Sequence, residues 1–536
     1  MRSFHWPGRS PVYGRRGMCA TAHPLASLAA VETLRAGGNA VDAAVTACAV
    51  LCVVEPAMTG IGGDCFAMIA RPGAPLVGLS GCGRSPAAAR PEWFAERGIA
   101  AIEVTSPHAV NIPGSIDGWA RVLADHGTIS LDRALTPAIG YAENGFPVAP
   151  RVALDWMRGR AKLERQAGAR QHYLRAGKVP VAGQMHSLPA LGRTLRAIAE
   201  DGPKAFYEGR IAEDMVATLK DLGGLHTLED FAAQGSTHGA TYVEPISVAY
   251  RGVELCELPP SNQGIVALLL LRMLDRLGPV PAGPASAERY HLLIECARLA
   301  YAVRDAYVSD PDTATVPVEE LARGVLSDAY VDGLVARVDP RRRTPDLGPV
   351  PHPTGSDTTY LTVVDERGMA VSFINSLFAD FGSGIVAPHS GVVLNNRGIG
   401  FSLDAAHPNA IGPRKRPMHT LVPAIAMREG KPWLSFGVMG GAFQPTGHVF
   451  VLTSLVDYGL DAQEALDLPR VFFEGGETVI EESLPQDVAT RLSEMGHTLR
   501  VRDLPWGGGQ IVMIDHARDV LVGASDARKD GCALGY

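Results

Sequence analysis

The sequence lacks the long apolar segments of membrane and secreted proteins. Its longest apolar run lies between Asp42 and Glu55, which is too short to cross a bilayer. The first residues, MRSFHWPGRSPVYGRRGM, contain no apolar core of a secretion signal. We therefore expect a cytoplasmic protein with no membrane partner.

An excess of positive charge is also missing. Lys and Arg number 49 against 57 Asp and Glu, which gives a net charge of −8, and the two basic runs at 341–343 and 414–416 are short. A nucleic-acid-binding protein would need a basic face, so no nucleic-acid partner is expected. The chain is 46% hydrophobic and 20% charged, as in ordinary globular proteins.

Metal-binding, nucleotide-binding and disulfide patterns are absent as well. Only eight cysteines occur in 536 residues, with no CxxC pair, and Cys48 and Cys52 are spaced for one helix face. We expect reduced, buried thiols. No HExxH motif or Cys/His cluster suggests a metal site. The glycine-rich stretch at 59–70 lacks the GxGxxG spacing of a nucleotide site, so no cofactor is predicted.

The elements that are present alternate between helical and strand patterns. Residues 338–357 contain five prolines and two glycines and predict an exposed, flexible segment. Two strands around a turn at 365–368 are predicted directly after it. Further strands are predicted at 242–258, 391–395, 421–427, 433–437 and 510–515, and helices at 18–54 (with a turn at 37–39), 129–145, 186–222 (broken near 201–203), 265–277, 286–308, 445–459 and 486–496.

The proline-rich segment ends in Asp357-Thr358-Thr359 at the first residue of a predicted strand. Strand propensity alone explains a threonine there. A hydrolytic interpretation requires cleavage before Thr358, because a freed α-amine, with a pKa near ~8, can accept the proton of the hydroxyl on the same residue. A flexible segment suits such a break, since the two new ends must separate.

The chain from about residue 17 to its end resembles the γ-glutamyltranspeptidase family of N-terminal-nucleophile hydrolases. Many ordered matches make a chance origin very improbable. The matching stretches are GMCATAHPLAS (17–27), AGGNAVDAAV (36–45), GIGGDCF (60–66), IPGSIDGW (112–119), PPSNQG (259–264), DTTYLTVVDERGMAVSF (357–373), FGSGIV (381–386), GVVLNNRG (391–398), RPMHTLVPAI (416–425), GVMGGAFQP (437–445) and GGGQ (507–510).

The resemblance implies a fold, a maturation and four catalytic roles. The fold is a four-layer αββα sandwich of the α+β class. Cleavage between Asp357 and Thr358 would give a large chain (1–357) and a small chain (358–536) that stay together as a heterodimer, which can pair further. Thr358 would be the nucleophile, with its hydroxyl bonded to Ser376. The N–H groups of Gly440 and Gly441 would form the oxyanion hole.

The clamp that holds the substrate's amino-acid head group in this family is altered here. Phe378 replaces an Asn and Gly400 an Asp, the stretch 81–83 lacks the family's Arg, and His419-Thr420 replaces a Ser-Ser pair. A charged head group without partners costs several kcal/mol, which disfavours γ-glutamyl substrates.

Substitute contacts are available for a smaller substrate. Arg397 could hold a carboxylate, His419 could donate a hydrogen bond, and Arg84 is a weaker candidate; Arg397 could instead pair with a nearby Asp, and His419 could be a satisfied buried histidine. Phe378 would make the pocket smaller and less polar.

This pattern is similar to the oxamate amidohydrolase branch, which releases ammonia from oxamate in purine breakdown. Oxamate is therefore the expected substrate. The alternatives are a γ-glutamyl transferase or glutathione hydrolase with a rearranged clamp, another acylase such as a β-lactam side-chain acylase, and a non-catalytic relative.

Overall fold

The structure is a computed structural model that describes residues 8–345 and 357–536. Most strands are short and many are buried on both faces. The strands are β1 Val12–Gly14, β2 Gly17–Thr21, β3 Asp64–Ala70, β4 Val77–Gly81, β5 Phe146–Pro147, β6 Met185–His186, β7 Thr241–Val243, β8 Ile246–Tyr250, β9 Val253–Glu257, β10 Asp357–Asp365, β11 Ala370–Phe378, β12 Ala424–Arg428, β13 Lys431–Val438, β14 Val471–Glu474, β15 Glu477–Ile480, β16 Leu499–Val501, β17 Gly509–Asp515, β18 Val520–Ser525 and β19 Cys532–Gly535.

Helices make up most of the remainder, with single 3₁₀ turns at Pro107–Ala109, Arg397–Gly400 and Gly441–Phe443. The α-helices are α1 Pro24–Arg35, α2 Ala40–Val54, α3 Pro91–Ala95, α4 Ser115–His126, α5 Leu131–Asn144, α6 Pro150–Leu163, α7 Ala167–Tyr173, α8 Pro189–Asp201, α9 Pro203–Tyr207, α10 Gly209–Asp221, α11 Leu228–Gln234, α12 Gly264–Leu277, α13 Ala287–Tyr307, α14 Val318–Val325, α15 Asp328–Val335, α16 Gln444–Tyr458, α17 Ala462–Asp467 and α18 Gln486–Glu494.

Two seven-stranded sheets form the centre of the molecule. One has the order β1-β18-β17-β13-β12-β9-β8, and the other has the order β19-β2-β10-β11-β3-β4-β7. Each sheet combines strands from before and after residue 358. The pairings that build both sheets are antiparallel.

Three hydrophobic cores separate the layers. One lies between the two sheets and includes Tyr360, Ile374 and Met439. A second packs α1, α2, α4, α5 and α8 on the outer face of the β10 sheet. The third packs α12, α13 and α16 on the outer face of the β13 sheet. Helices therefore cover both sheets, which confirms the αββα sandwich.

The hairpin β10–β11 is closed by a tight turn. The Asp365 Oδ1 accepts hydrogen bonds from the backbone N–H groups of Arg367 (2.9 Å) and Met369 (3.1 Å). Gly368 takes a φ of 78°, which a residue with a side chain adopts only under strain. The turn fixes the register of the two strands, and their far ends at Thr358 and Ser376 therefore meet.

Two of the predicted elements are wrong. Residues 18–21, the start of the predicted helical region 18–54, belong to strand β2 because they pair with β10 and β19. Residues 391–395 form no strand and contribute only isolated bridges at Val393 and Leu394, since this stretch turns back over the end of the β10 sheet. The predicted flexible segment lies outside the described residues from position 346 to position 356.

The cysteines are free in the described structure. Seven are buried and Cys532 is partly exposed, as predicted. Among the described residues, none of the helices has the length and apolarity that crossing a membrane requires.

Candidate active site

Thr358 lies at the start of β10, with its side chain directed between the two sheets. Side chains alternate along a strand, and Tyr360, two residues on, lies in the core between the sheets. Thr362 continues this face and donates its hydroxyl to Ser435 Oγ across the sheets, at 2.7 Å. Thr358 is itself buried, with 1% of its surface exposed.

The alignment of β10 with β13 runs from Thr362 toward Thr358 on one strand and from Ser435 toward the glycine pair on the other. Thr362 lies opposite Ser435, and a side chain on Gly437 would collide with the Tyr360 ring. The step from Thr362 back to Tyr360 on β10 thus corresponds to the step from Ser435 forward to Gly437 on β13. Extended by one more step, this alignment predicts that Thr358 lies level with Met439, directly before Gly440.

Gly440 and Gly441 have backbone conformations that favour glycine. Their φ angles are 125° and 57°, and they lead into the 3₁₀ turn that precedes α16. Gln263 Nε2 donates to the Gly441 carbonyl at 2.9 Å, which fixes the turn. Apart from hydrogen bonds within helices and strands, neither N–H group donates to a backbone carbonyl of the described residues. Both groups remain available as donors to a substrate oxyanion.

Ser376 lies on the neighbouring strand β11. Its Oγ is 3.2 Å from Thr358 Oγ1 and accepts a hydrogen bond from the Phe378 backbone N–H at 2.8 Å. That N–H holds the Ser376 oxygen in place, and either hydroxyl of the pair can donate to the other. The geometry therefore brings together the two hydroxyl groups that the sequence pointed to.

Asp357 and Thr358 lie in the same strand, β10. The pairing of β10 with β11 shifts register between Asp357 and Thr359, with Asp357 opposite Phe378. A bulge of this kind interrupts the regular ladder at the bond expected to break.

Arg397 is buried beside the end of β11, with 2% of its surface exposed. Its Nη1 donates to Thr420 Oγ1 at 3.0 Å, and its guanidinium carbon lies 3.8 Å from the centre of the Phe378 ring. The Nη2 group is buried and has no hydrogen-bond partner in the described part of the chain.

The charge of Arg397 survives this burial. Desolvation lowers its pKa to about 10, against the opposing influence of Asp64 and Cys82, so it is a cation at neutral pH. Among the described residues, no ion pair includes Arg397. Asp64, whose charge opposes the fall in the pKa of Arg397, is bound to His419 instead. A buried cation with an unused donor is suited to an incoming anion.

Phe378 ends β11 with a φ of 86°. A bulky residue in this region is a strained outlier, and such strain is often found at functional sites. The ring is 3% exposed and covers the guanidinium of Arg397. Phe378 therefore places an apolar ring directly beside a buried cation.

The structure corrects the expected roles of His419 and Arg84. His419 Nε2 lies 3.0 Å from Asp64 Oδ2, and its Nδ1 accepts from the Leu421 N–H at 3.2 Å, so neither ring nitrogen is left for a substrate. Burial lowers its pKa to about 4, and it is neutral. Arg84 is paired with Asp312 at 2.9 Å. Arg84 also donates its Nη1 to the Arg414 carbonyl at 3.0 Å, while its Nε is buried without a partner among the described residues.

Three positioning residues were missed by the sequence reasoning. Asp64 accepts N–H groups of Gly83 (2.9 Å) and Gly114 (3.2 Å) in addition to His419. Gln263 binds the carbonyls of Thr420 and Gly441, each at 2.9 Å. Asn395 bonds the backbone around Arg397. All three occur in the matched stretches GIGGDCF, PPSNQG and GVVLNNRG, which was the available signal.

Asp64, Cys82 and His419 lie close enough to share a metal ion. Their ligand atoms are already occupied, however, since Asp64 binds His419 and two backbone N–H groups. The neighbouring charge of Arg397, which acts on both Cys82 and His419, also opposes a cation. The trio fits a structural network better than a metal site.

The fold and this arrangement define an N-terminal-nucleophile hydrolase, an enzyme that acts on amide bonds. The chain belongs to the gamma-glutamyltranspeptidase family, whose pattern it matches over residues 26–536.

Relatives of the chain cover nearly its full length. It is similar to the glutathione hydrolase-like YwrD proenzyme of Bacillus subtilis (strain 168), at 36% identity over 98% of this chain and 99% of that protein. It is 34% identical to the oxamate amidohydrolase proenzyme of Klebsiella pneumoniae subsp. pneumoniae, over 97% and 98% of the two chains. The crystal structure of cephalosporin acylase from Bacillus halodurans superposes with a TM-score of 0.91, at 36% identity over 100% and 99%.

Proposed function

We propose that the protein cleaves itself before Thr358 and then hydrolyses a small amide that carries a carboxylate. In maturation, the Thr358 hydroxyl attacks the Asp357 carbonyl and the peptide nitrogen leaves, which converts the amide to an ester. Water hydrolyses this ester. The products are the Asp357 carboxylate of the large chain and the free α-amine of Thr358 on the small chain.

Turnover uses the same atoms. The α-amine takes the proton of the Thr358 hydroxyl, and the oxygen attacks the substrate carbonyl. The N–H groups of Gly440 and Gly441 stabilise the oxyanion, a contribution of about 3–4 kcal/mol per donor in comparable sites. The amine leaves with the proton, and water releases the acid from the threonyl ester.

The observation that carries the substrate class is Arg397, a buried cation with one unpartnered N–H group. Contacts connect it to the nucleophile: its guanidinium stacks on Phe378, the Phe378 N–H bonds Ser376, and Ser376 lies against Thr358. A carboxylate close to the scissile carbonyl would complete the Arg397 hydrogen bonds. Oxamate, with its carboxylate adjacent to the amide carbon, is the favoured substrate, and it yields oxalate and ammonia.

A second candidate substrate is a longer dicarboxylic monoamide, such as a glutaryl amide. The superposition on a cephalosporin acylase favours it, because the same cation could bind the distal carboxylate of a longer acyl group. A γ-glutamyl substrate also needs an anion partner for its α-ammonium. Asp64, the acid beside Arg397, is already bound to His419. This supports the exclusion of γ-glutamyl substrates.

The two chains of the mature enzyme would remain a heterodimer. Each seven-stranded sheet contains strands from both sides of Thr358, so separation would expose the core between the sheets. A cytoplasmic location and a role in purine breakdown remain predictions from the sequence.

The test is release of ammonia from a panel of amides by purified protein. Oxamate is compared with glutaryl-p-nitroanilide and γ-glutamyl-p-nitroanilide, for which nitroaniline is measured. We expect oxamate to have the highest kcat/KM and Arg397→Met to lower it at least about 100-fold, since a desolvated ion pair is worth about 3 kcal/mol or more. Arg84→Lys, whose partner is Asp312, should retain activity. Preference for the γ-glutamyl compound would contradict the proposal.

A further inference from the structure

Thr359, the residue after the nucleophile, is directed to the opposite face of the sheet. Its neighbours on that face, Leu361 and Val363, lie in the core against the helices. The Thr359 hydroxyl donates to Glu55 Oε2 at 2.9 Å. Glu55 directly follows α2 as its capping residue, and both side chains are buried. A buried carboxyl group is thus placed one residue from the nucleophile.

The charged groups around Glu55 come from two other segments. Lys529 and Asp530 belong to the loop before β19, and Asp155 belongs to α6. The Lys529 Nζ is 3.9 Å from Asp155 Oδ2 and 3.3 Å from the sulfur of Met58, three residues after Glu55. Lys529 is thus set among three carboxylates, and Arg151 is a second cation of the cluster, with its Nε 2.9 Å from Asp155 Oδ1.

Burial raises the pKa of Glu55 to about 7, while Lys529 and the Thr359 hydroxyl act in the opposite direction and Asp155 and Asp530 raise it further. Glu55 therefore changes charge close to the range in which a free α-amine titrates, near ~8. The mechanism described above does not use this group.

We propose that Glu55 is a positioning residue that acts on Thr358 through the Thr359 hydroxyl, and that its negative charge tunes the free amine of the mature enzyme. The proposal rests on Thr358 being the nucleophile, and adds a residue that the family resemblance did not assign. After cleavage Thr358 is a chain end, and chain ends fray unless they are tied down.

Two contacts on opposite faces would hold this chain end. Ser376 contacts the Thr358 hydroxyl between the sheets, and Glu55 holds Thr359 on the helix side. The hydrogen bond to Glu55 selects one rotamer of Thr359, a β-branched residue. This restrains the adjoining backbone of Thr358, which carries the free amine. Since consecutive Cα atoms are about 3.8 Å apart, a carboxylate bound to Thr359 is also close enough to stabilise the ammonium form of Thr358.

Glu55→Gln is the first test, because it keeps an acceptor for Thr359 and removes the charge. Without the carboxylate the amine should lose its proton more easily, so the acidic limb of the kcat/KM–pH profile should move to lower pH by about 0.5–1 unit. The control is Glu295→Gln, a buried carboxyl of α13 that is paired with Arg298 at 2.8 Å on the outer side of the β13 sheet. It should leave the profile unchanged.

Thr359→Val gives a second readout that does not depend on the folding of Glu55→Gln. It keeps the shape and removes the hydroxyl, so we expect slower self-cleavage and a fall in kcat of about tenfold or more with an unchanged KM. Thr359→Ser, which restores the donor, should recover both. Thermal melting of each variant separates this effect from a general loss of stability.

The two proposals fail in different ways. Wild-type kcat and pH profiles in both Glu55→Gln and Thr359→Val would overturn the role of Glu55, while Thr358→Ala would still be uncut and inactive. Self-cleavage or turnover by Thr358→Ala would instead overturn the proposed function itself.

Discussion

At the scale of single residues, Thr358 depends on its neighbours, because a threonine hydroxyl is a weak nucleophile at neutral pH. Ser376 lies 3.2 Å from it and is itself fixed by the Phe378 N–H. The pair is rigid because β10 and β11 are joined by the tight turn at Asp365. Orientation of this kind contributes to catalysis without any added chemistry.

Replacement of Ser376 by alanine should therefore weaken catalysis without unfolding the protein. We expect kcat to fall about tenfold, the equivalent of one hydrogen bond of about 1.4 kcal/mol, and Ser376→Thr to retain more activity. Steady-state kinetics on the best amide of the panel measures this. Ser435→Ala removes the hydrogen bond with Thr362 between the two sheets and should change kcat less than about twofold. An equal loss of kcat in Ser376→Ala and Ser435→Ala would argue against a specific role for Ser376.

The sequence predicted the candidate residues of the site better than their roles. Thr358, Ser376 and Gly440 could be assigned because the resemblance supplies their order along the chain. His419 was expected to contact substrate, and its partner Asp64 is 355 positions away in the sequence, so only the fold reveals the pair. Glu55 was missed for the same reason, since nothing local connects it to Thr359.

At the scale of elements, the site is set by the packing of β10 against β13. The Tyr360 ring fills the space left by the missing side chain of Gly437, and the Thr362–Ser435 bond fixes the alignment. The strand patterns around Thr358 and Ser435 were predictable from β-branched and aromatic residues. Strand β2 was not, because its sequence GMCAT is rich in residues without strong strand preference and it forms through its partners.

Gly437→Ala tests this packing. A Cβ at Gly437 would overlap the Tyr360 ring, so β10 and β13 must separate; overpacking of this kind costs about 1–3 kcal/mol. We expect a lower melting temperature and slower self-cleavage on a time-course gel. Gly140→Ala, in helix α5 with open space around it, is the control and should be neutral or stabilising. Unimpaired cleavage in Gly437→Ala would show that the alignment does not set the site.

At the scale of the whole molecule, burial of neutral histidines links stability to pH. Burial lowers the pKa values of His23, His186, His226 and His419 to about 4. These histidines bind protons more readily when the chain is unfolded. Their contribution to the free energy of unfolding is therefore complete above about pH 6.5 and is lost as the pH falls toward 4.

We therefore expect the free energy of unfolding to fall between pH 7 and pH 5, by about 2 kcal/mol for a histidine with this shift. Urea denaturation at both values measures it. The fall in the free energy of unfolding between the two pH values should be smaller in His226→Gln, which keeps a donor for the Val110 carbonyl. His389→Gln, at an exposed position, should leave it unchanged. A stability that rises on acidification would contradict this account.

The whole fold also explains why maturation need not separate the two chains. Strands β10 to β13, β17 and β18 follow the cleavage point, yet they lie between strands of the large chain in the two sheets, and β19 pairs with β2 at an edge. The resemblance supplied this architecture, whereas the sequence patterns alone gave only the local elements. Strand order depends on contacts between distant segments, which no local pattern encodes.

The most direct measurement is the intact mass of the purified protein under denaturing conditions, with sequencing of the new N-terminus. The account predicts two chains, residues 1–357 and a small chain that begins at Thr358, while Thr358→Ala gives one uncut, inactive chain. An active wild-type protein of a single uncut mass, or a small chain that begins at another residue, would contradict it.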